Sequence, residues 1–174
     1  MILSALPTLV LISNILFVFF VLAIFFRKSW GKSIAVFLGE NAILFGFLTI
    51  LASIAGSLFY SNIVGYDPCI LCWWQRIFIY PQAIIFFVAM MIKDKKVFSY
   101  IVPMAIIVLL ISLYHSYLQM GGTSVIPCDA VGPSCSKVYV MAYGYITIPF
   151  MAVTISAYVL LLAWAYKLYE NRNA

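Results

Sequence analysis

Long apolar runs separated by short polar knots organise this chain. The runs cover 2–26, 34–60, 69–92, 97–120 and 138–166, and the segments between them hold most of the charge. Glu40 is the only charged residue in the second run and Arg76 in the third, while the fourth contains His115 and the first and last are uncharged. Each run reaches the roughly 20 residues that a helix needs to cross a hydrocarbon core about 30 Å thick. The runs are unbroken rather than alternating, which predicts helices and not barrel strands, because each helix satisfies its own backbone polar groups in lipid. Pro81 and Pro149 fall inside their runs and predict kinks, whereas Pro7 and Pro103 sit near expected helix starts, where a missing N–H costs little. Run 2–26 has no basic leader and is followed by Arg27, Lys28 and Lys32, so it reads as a retained span rather than a cleaved signal.

Composition agrees with this pattern. The 174 residues are 66% hydrophobic and 9% charged, with mean hydropathy +1.12, too little polar surface to coat a water-soluble globule. The formal charge of +5 does not suggest nucleic acid, because the bases are spread over short connections and tails. Their positions carry topology instead. Arg27, Lys28, Lys32, Lys93, Lys95, Lys96, Lys167 and Arg172 fall at one end of the spans, against Lys137 at the other. Basic loops stay in the cytoplasm, so the N-terminus is expected outside, the C-terminus inside, and segments 61–68 and 121–137 outside. Every connection is short and nothing repeats, so one transmembrane domain over 1–174 is expected.

Both cysteine pairs fall in or beside the two exterior segments, on the side where disulfides persist. The first pair lies in Tyr66-Asp67-Pro68-Cys69-Ile70-Leu71-Cys72-Trp73-Trp74-Gln75-Arg76. Asp67 suits an N-cap and Pro68 the first helical position, which puts Cys69 and Cys72 in the first turn. There the positive end of the helix dipole favours thiolate over thiol. Positions 69, 72 and 76 are spaced i, i+3, i+7, so Arg76 shares their helical face about a turn deeper. An arginine just inside the bilayer calls for an anionic partner, though alone it also reads as a snorkelling residue. Trp73 and Trp74 suit an interfacial aromatic belt or the flank of a flat ligand.

Cys128 and Cys135 enclose six residues in the longest external segment, which is rich in turn formers and is expected to be mobile and reachable by another protein. They could simply staple that segment. Two dithiol pairs at one membrane face also suit a relay, because disulfide exchange requires sulfurs to meet. The spacing of the four cysteines does not match common structural zinc sites, so no metal is expected. His115 lies near the external interface with Gln119 one turn on, and reads either as an interhelical hydrogen-bond donor or as a proton or carbonyl partner for a ligand. Glu40 reads as an interfacial residue or a partner for Lys32.

These residues resemble the DsbB family of membrane thiol:disulfide oxidoreductases, in particular its short Gram-positive BdbC type. The resemblance covers roughly residues 41–166. It rests on Cys69-Ile70-Leu71-Cys72-Trp73-Trp74-Gln75-Arg76 with Tyr80-Pro81, on Pro103-Met104-Ala105, on Tyr114-His115 with Gln119, on Cys128/Cys135 and on Ile146-Thr147-Ile148-Pro149-Phe150. It implies an all-α membrane fold with a four-helix transmembrane bundle, 34–166, which the apolar pattern places after one extra N-terminal span, 2–26. It implies that the chain reoxidises an extracytoplasmic thioredoxin-fold dithiol oxidase of the DsbA or BdbD kind and passes the electrons to a membrane quinone, menaquinone or ubiquinone. By the same resemblance Cys69 and Cys72 are the quinone-linked pair, with Cys72 nearest the quinone, Arg76 its electrostatic partner and His115 lining the pocket. Cys128 forms the mixed disulfide with the partner and Cys135 resolves it. Two features depart from the family: the extra span, and a cysteine loop shorter than in enterobacterial DsbB proteins. Vitamin K epoxide reductases also combine a bundle, a CxxC and a loop pair, but in the opposite chain order. From other classes, a scaffold braced by two structural disulfides and a membrane protein handling metal through thiolates remain as rivals.

Overall fold

The computed structural model describes residues 2–27, 31–125, 128 and 133–173. Lys28 and the middle of the second cysteine loop, 129–132, lie outside these. Among the described residues six α-helices form: α1 (Ile2–Phe25), α2 (Lys32–Glu40), α3 (Ala42–Leu58), α4 (Ile70–Ile92), α5 (Val97–Gln119) and α6 (Ile148–Asn173). Five of them are long and apolar enough to span a bilayer. Helices α3, α4, α5 and α6 pack in a ring, each against the next, and α6 closes back on α3. Helix α1 leans on α6 and α2 from outside the ring. The protein is an all-helical membrane bundle.

The core of the ring is built from the faces that these helices turn inward. Phe86 of α4, Ile101, Ala105 and Val108 of α5, and Val159 and Ala165 of α6 are buried in one cluster. Lipid-facing positions stay apolar, as Ile84, Leu110 and Leu48 do, because the solvent outside is hydrocarbon.

Several expected boundaries move. The second run is not one helix. Asn41 leaves helical geometry (φ −101°, ψ 14°), and its side-chain amide donates to the Phe37 carbonyl at 3.0 Å, ending α2. This is the local competition with the backbone ladder for which asparagine is known. Helix α2 then lies on α6, where Gly39 permits a close approach: a Cβ there would stand 2.8 Å from the Ala165 carbonyl. Glu40 ends α2 exposed, eight residues from Lys32, about 12 Å of helical rise. At its other end α3 widens into a π-turn, Phe59–Ile63.

The fifth span starts ten residues later than expected. Residues 138–147 are apolar but not helical, because Tyr143 (φ 52°) and Gly144 (φ 78°) turn the chain left-handed and Ala142 pairs with Ile146. Pro149 consequently lies in the first turn of α6, where proline is tolerated, rather than at a kink. Pro103 is the reverse case: α5 begins at Val97, so this proline is interior.

Candidate functional site

Alternating helix directions bring the N-terminal ends of α1, α4 and α6 and the C-terminal ends of α3 and α5 to one end of the molecule. All four cysteines lie there. Lys32, Lys93, Lys95, Lys96 and Arg172 lie at the other end.

Cys69 is itself the N-cap of α4, in extended geometry (φ −72°, ψ 171°), and its carbonyl accepts from the Trp73 N–H. The expected cap, Asp67, stands two residues before the actual cap; its carbonyl accepts from the Tyr139 hydroxyl at 3.3 Å instead. Cys72 falls in the first turn. Both cysteines are free, with sulfurs 3.1 Å apart, longer than a covalent bond of about 2.05 Å.

His115 reaches the first pair from α5. Its Nε2 stands 3.6 Å from Cys69 Sγ, and the Gln75 amide nitrogen lies 3.3 Å from its Nδ1. With Gln75 donating to Nδ1, the neutral ring carries its proton on Nε2, where it faces the sulfur. All three residues are buried, so the chain Gln75, His115, Cys69 is shielded from water. Cys69 sits just outside the span at the N-terminus of α4, and its thiol is pulled well below the usual range. The hydrogen bond with Cys72 contributes most and His115 adds to it, while burial opposes.

Arg76 is held by α3. Its Nε donates to Ser57 Oγ at 3.0 Å and its Nη2 to the Ser57 carbonyl at 3.2 Å. The Tyr80 hydroxyl donates to the same Ser57 Oγ at 3.2 Å. The Ser57 carbonyl also accepts from Ser61 Oγ, close to where the α-ladder gives way to the π-turn. The guanidinium stacks 5.3 Å from the Trp73 ring, and neither Trp73 nor Trp74 lines the cavity below.

Cys128 and Cys135 are disulfide-bonded, with Cα atoms 5.7 Å apart. They are not exposed, contrary to the expectation from their loop: Cys128 is 4% and Cys135 1% accessible. The reason is packing. Both sulfurs join one buried cluster with Cys69, Leu71 and Leu118, against which Cys72, Ile111 and Tyr114 also lie. The segments flanking the pair are tied down by the Gln119 amide donating to the Lys137 carbonyl at 3.0 Å and the Val125 N–H donating to the Tyr114 hydroxyl at 3.0 Å. The rings of Tyr60, Tyr66 and Tyr139 stack in series at 6.0 Å and 4.6 Å, joining the π-turn to the loop.

A cavity of about 320 Å³ opens beside the first pair, lined by Cys69, Cys72, Arg76, His115 and Tyr80 together with apolar residues of the spans. Tyr60 also lines it and is 4% exposed, yet its hydroxyl has no hydrogen-bond partner among the described residues. A buried hydroxyl without a partner costs about 1–3 kcal/mol, so this one is available to a ligand atom in the cavity. Ser57, Tyr60 and Gln75 are site residues that sequence reasoning assigned no role. Gln75 carried a signal, six residues after Cys69 in the CxxC helix; Ser57 and Tyr60 carried none, because only the packing of α3 on α4 brings them in.

A helical membrane bundle that packs a free dithiol and a disulfide into one cluster is a membrane dithiol–disulfide protein. The sequence model described as "Disulfide bond formation protein DsbB" matches residues 39–166. The chain belongs to the DsbB family and is a thiol:disulfide oxidoreductase of disulfide bond formation. It is 40% identical over 120 residues to disulfide bond formation protein C of Bacillus subtilis strain 168, a match spanning 66% of this chain and 86% of that one. To the SPbeta prophage-derived disulfide bond formation protein B of the same organism it is 39% identical over 110 residues, 63% and 74% of the two chains. To a probable disulfide formation protein of Oceanobacillus iheyensis it is 41% identical over 123 residues, 65% and 79%. No solved structure matches the chain.

Proposed function

We propose that this protein reoxidises an extracytoplasmic thioredoxin-fold dithiol oxidase of the DsbA or BdbD kind and passes the electrons to a membrane quinone, menaquinone or ubiquinone. The observation that carries the reading is the meeting of both cysteine pairs in one buried cluster, with Cys72 and Arg76 beside a cavity walled by spans.

A partner thiolate attacks the loop disulfide at Cys128 and Cys135 leaves as thiolate; the second partner thiol then releases the oxidised partner and leaves the loop as a dithiol. Because both loop sulfurs are buried, docking of the partner must first lift the loop from Leu71 and Leu118. The loop dithiol next reduces a Cys69–Cys72 disulfide and regains its own bond. A quinone, when bound, supplies the acceptor for two electrons and two protons. On the protein side, the His115 Nε2–H and the α4 N-terminus hold negative charge on Cys69. Arg76 keeps donors beyond the two given to Ser57, and with the Tyr60 hydroxyl it offers the N–H and O–H groups that a carbonyl oxygen accepts.

The basic residues support a cytoplasmic C-terminus and an exterior cysteine end. In a background stripped of native cysteines, a thiol introduced at Ser124 should react with an impermeant reagent in intact cells, and one at Asp94 should not. The reaction itself is tested by anaerobic mixing of the purified protein with a reduced thioredoxin-fold oxidase and a quinone. Quinol is expected in one-to-one proportion to partner disulfide; its absence would leave the scaffold reading. A metal reading has one observation in its favour: the ligand atoms of Cys69, Cys72 and His115 lie within 4.8 Å of one another, a donor set that also suits zinc. Stoichiometric zinc in the purified protein, blocking oxidation of the first pair, would establish it instead.

A further inference from the structure

The family match begins at residue 39 and leaves out α1. We propose that α1 is a wall of the redox cavity, and that the cleft between α1 and α3 is the lateral entrance through which a quinone reaches Cys72 and Arg76 from the lipid. The proposal rests on the quinone reading above.

Leu6, Leu9, Val10 and Ser13, all in the half of α1 nearest the cysteines, line the same cavity as Cys72, Arg76 and His115. Across from them α3 contributes only small side chains, Ala52, Ser53, Gly56 and Ser57. The two helices do not close on each other, because α1 takes its packing from α6 and α2. A Cβ added at Gly56 would meet nothing within 4 Å, so this face of α3 borders open space.

Helix α1 is fastened to α6, which itself lines the cavity through Met151, Ala152, Thr154 and Ile155. Thr154 Oγ1 of α6 donates to Asn14 Oδ1 at 2.9 Å, the Thr8 and Tyr143 hydroxyls are 3.0 Å apart, and the Phe17 ring meets Tyr158 edge-on at 5.2 Å. These contacts hold α1 against α6 and keep it standing off α3. Polar groups wait at the cleft's inner end, where Tyr60 keeps its unpartnered hydroxyl and Arg76 its guanidinium. The cleft is apolar on the lipid side, with Leu9 60% exposed. A molecule with a flat ring carrying carbonyl oxygens and a long hydrocarbon tail fits this gradient: ring inward, tail between α1 and α3.

The experiment narrows the cleft from its two sides in the full-length protein, with Gly56→Leu on α3 and Ser13→Phe on α1. Leu16→Phe, on the lipid face of α1 and off the cavity, is the control. A short-chain prenylquinone is the probe, and its binding and its KM in partner-dependent reduction are read. Single-turnover disulfide exchange with the partner, without quinone, reads the cysteine end separately. Each filling variant is expected to raise the quinone KM at least tenfold and to leave exchange unchanged, while the control keeps the unmodified KM. Should both filling variants use quinone as the unmodified protein does, the entrance lies elsewhere and this proposal fails while the quinone reading stands. If the unmodified protein neither binds nor reduces the probe, both readings fall. Val10→Phe and Ser13→Leu serve as milder fillings; loss of exchange in all three α1 variants would make α1 a folding element and would overturn its role in the site.

Discussion

The two cysteine pairs sit in one cluster but are built in opposite ways. Cys69 caps a 23-residue helix and Cys72 lies in its first turn, with His115, itself bonded by Gln75, set against Cys69. Cys128 and Cys135 belong to a loop, held by apolar contact with Leu71 and Leu118 and by a few hydrogen bonds at its flanks. A helix terminus with buried hydrogen bonds fixes geometry and charge. Apolar contact under a short loop can be undone by a docking partner without disturbing the bundle. The contrast fits the proposed roles, in which the fixed pair serves the membrane acceptor and the loop pair the soluble donor.

The sharpest way to break the comparison is to remove one sulfur from each pair. Cys72→Ser and Cys128→Ser should both reduce quinone-dependent oxidation of the partner to background, because a relay with a missing sulfur has no through route. They should differ in what remains: Cys72→Ser keeps single-turnover exchange between partner and loop, and Cys128→Ser loses it. Quinol formation and trapped mixed disulfides measure the two.

A smaller effect is expected at Arg76. Arg76→Leu should weaken quinone use by about tenfold to a hundredfold, the scale of roughly 1–3 kcal/mol for a charge-assisted hydrogen bond in a partly desolvated site, and leave mixed-disulfide formation alone. Leucine keeps the span insertable. Lysine should rescue only in part, since it cannot hold both Ser57 acceptors through a planar fork and still reach a ligand. If exchange slows instead while quinone dependence stays, Arg76 serves docking.

Smaller again is Gln75→Leu. Loss of the amide leaves His115 free to change tautomer, so transfer from the loop pair to Cys69 should slow about fivefold to tenfold, roughly 1 kcal/mol for a neutral hydrogen bond, with quinone KM unchanged. Rapid-quench alkylation of the two pairs follows that step.

What could be read from the sequence was set by local rules. Five spans and the cysteine end follow from runs of apolar residues that the bilayer requires, and the CxxC at a helix start from the residues around it. What could not be read depended on contacts between distant segments. Asn41 interrupts a run whose hydropathy continues through Phe45, and only its side-chain bond to Phe37 reveals the break. Residues 138–147 are as apolar as a span, yet Tyr143 and Gly144 turn left-handed. Cys128 and Cys135 looked exposed because loops usually are; Leu118 and Leu71, from two different helices, bury them. Ser57 holds Arg76 from another helix, which no spacing within α4 could announce.

Direct electron transfer between the two pairs requires a sulfur of one to bond a sulfur of the other. In a Cys72→Ser, Cys128→Ser double variant only Cys69 and Cys135 remain, and a disulfide requires their Cα atoms to come within about 7 Å. Mild oxidation followed by mass spectrometry of unreduced peptides should find Cys69 bonded to Cys135 within one molecule, in near-complete yield and independent of protein concentration. Free thiols on both residues, or bonds forming only between molecules, would contradict the relay.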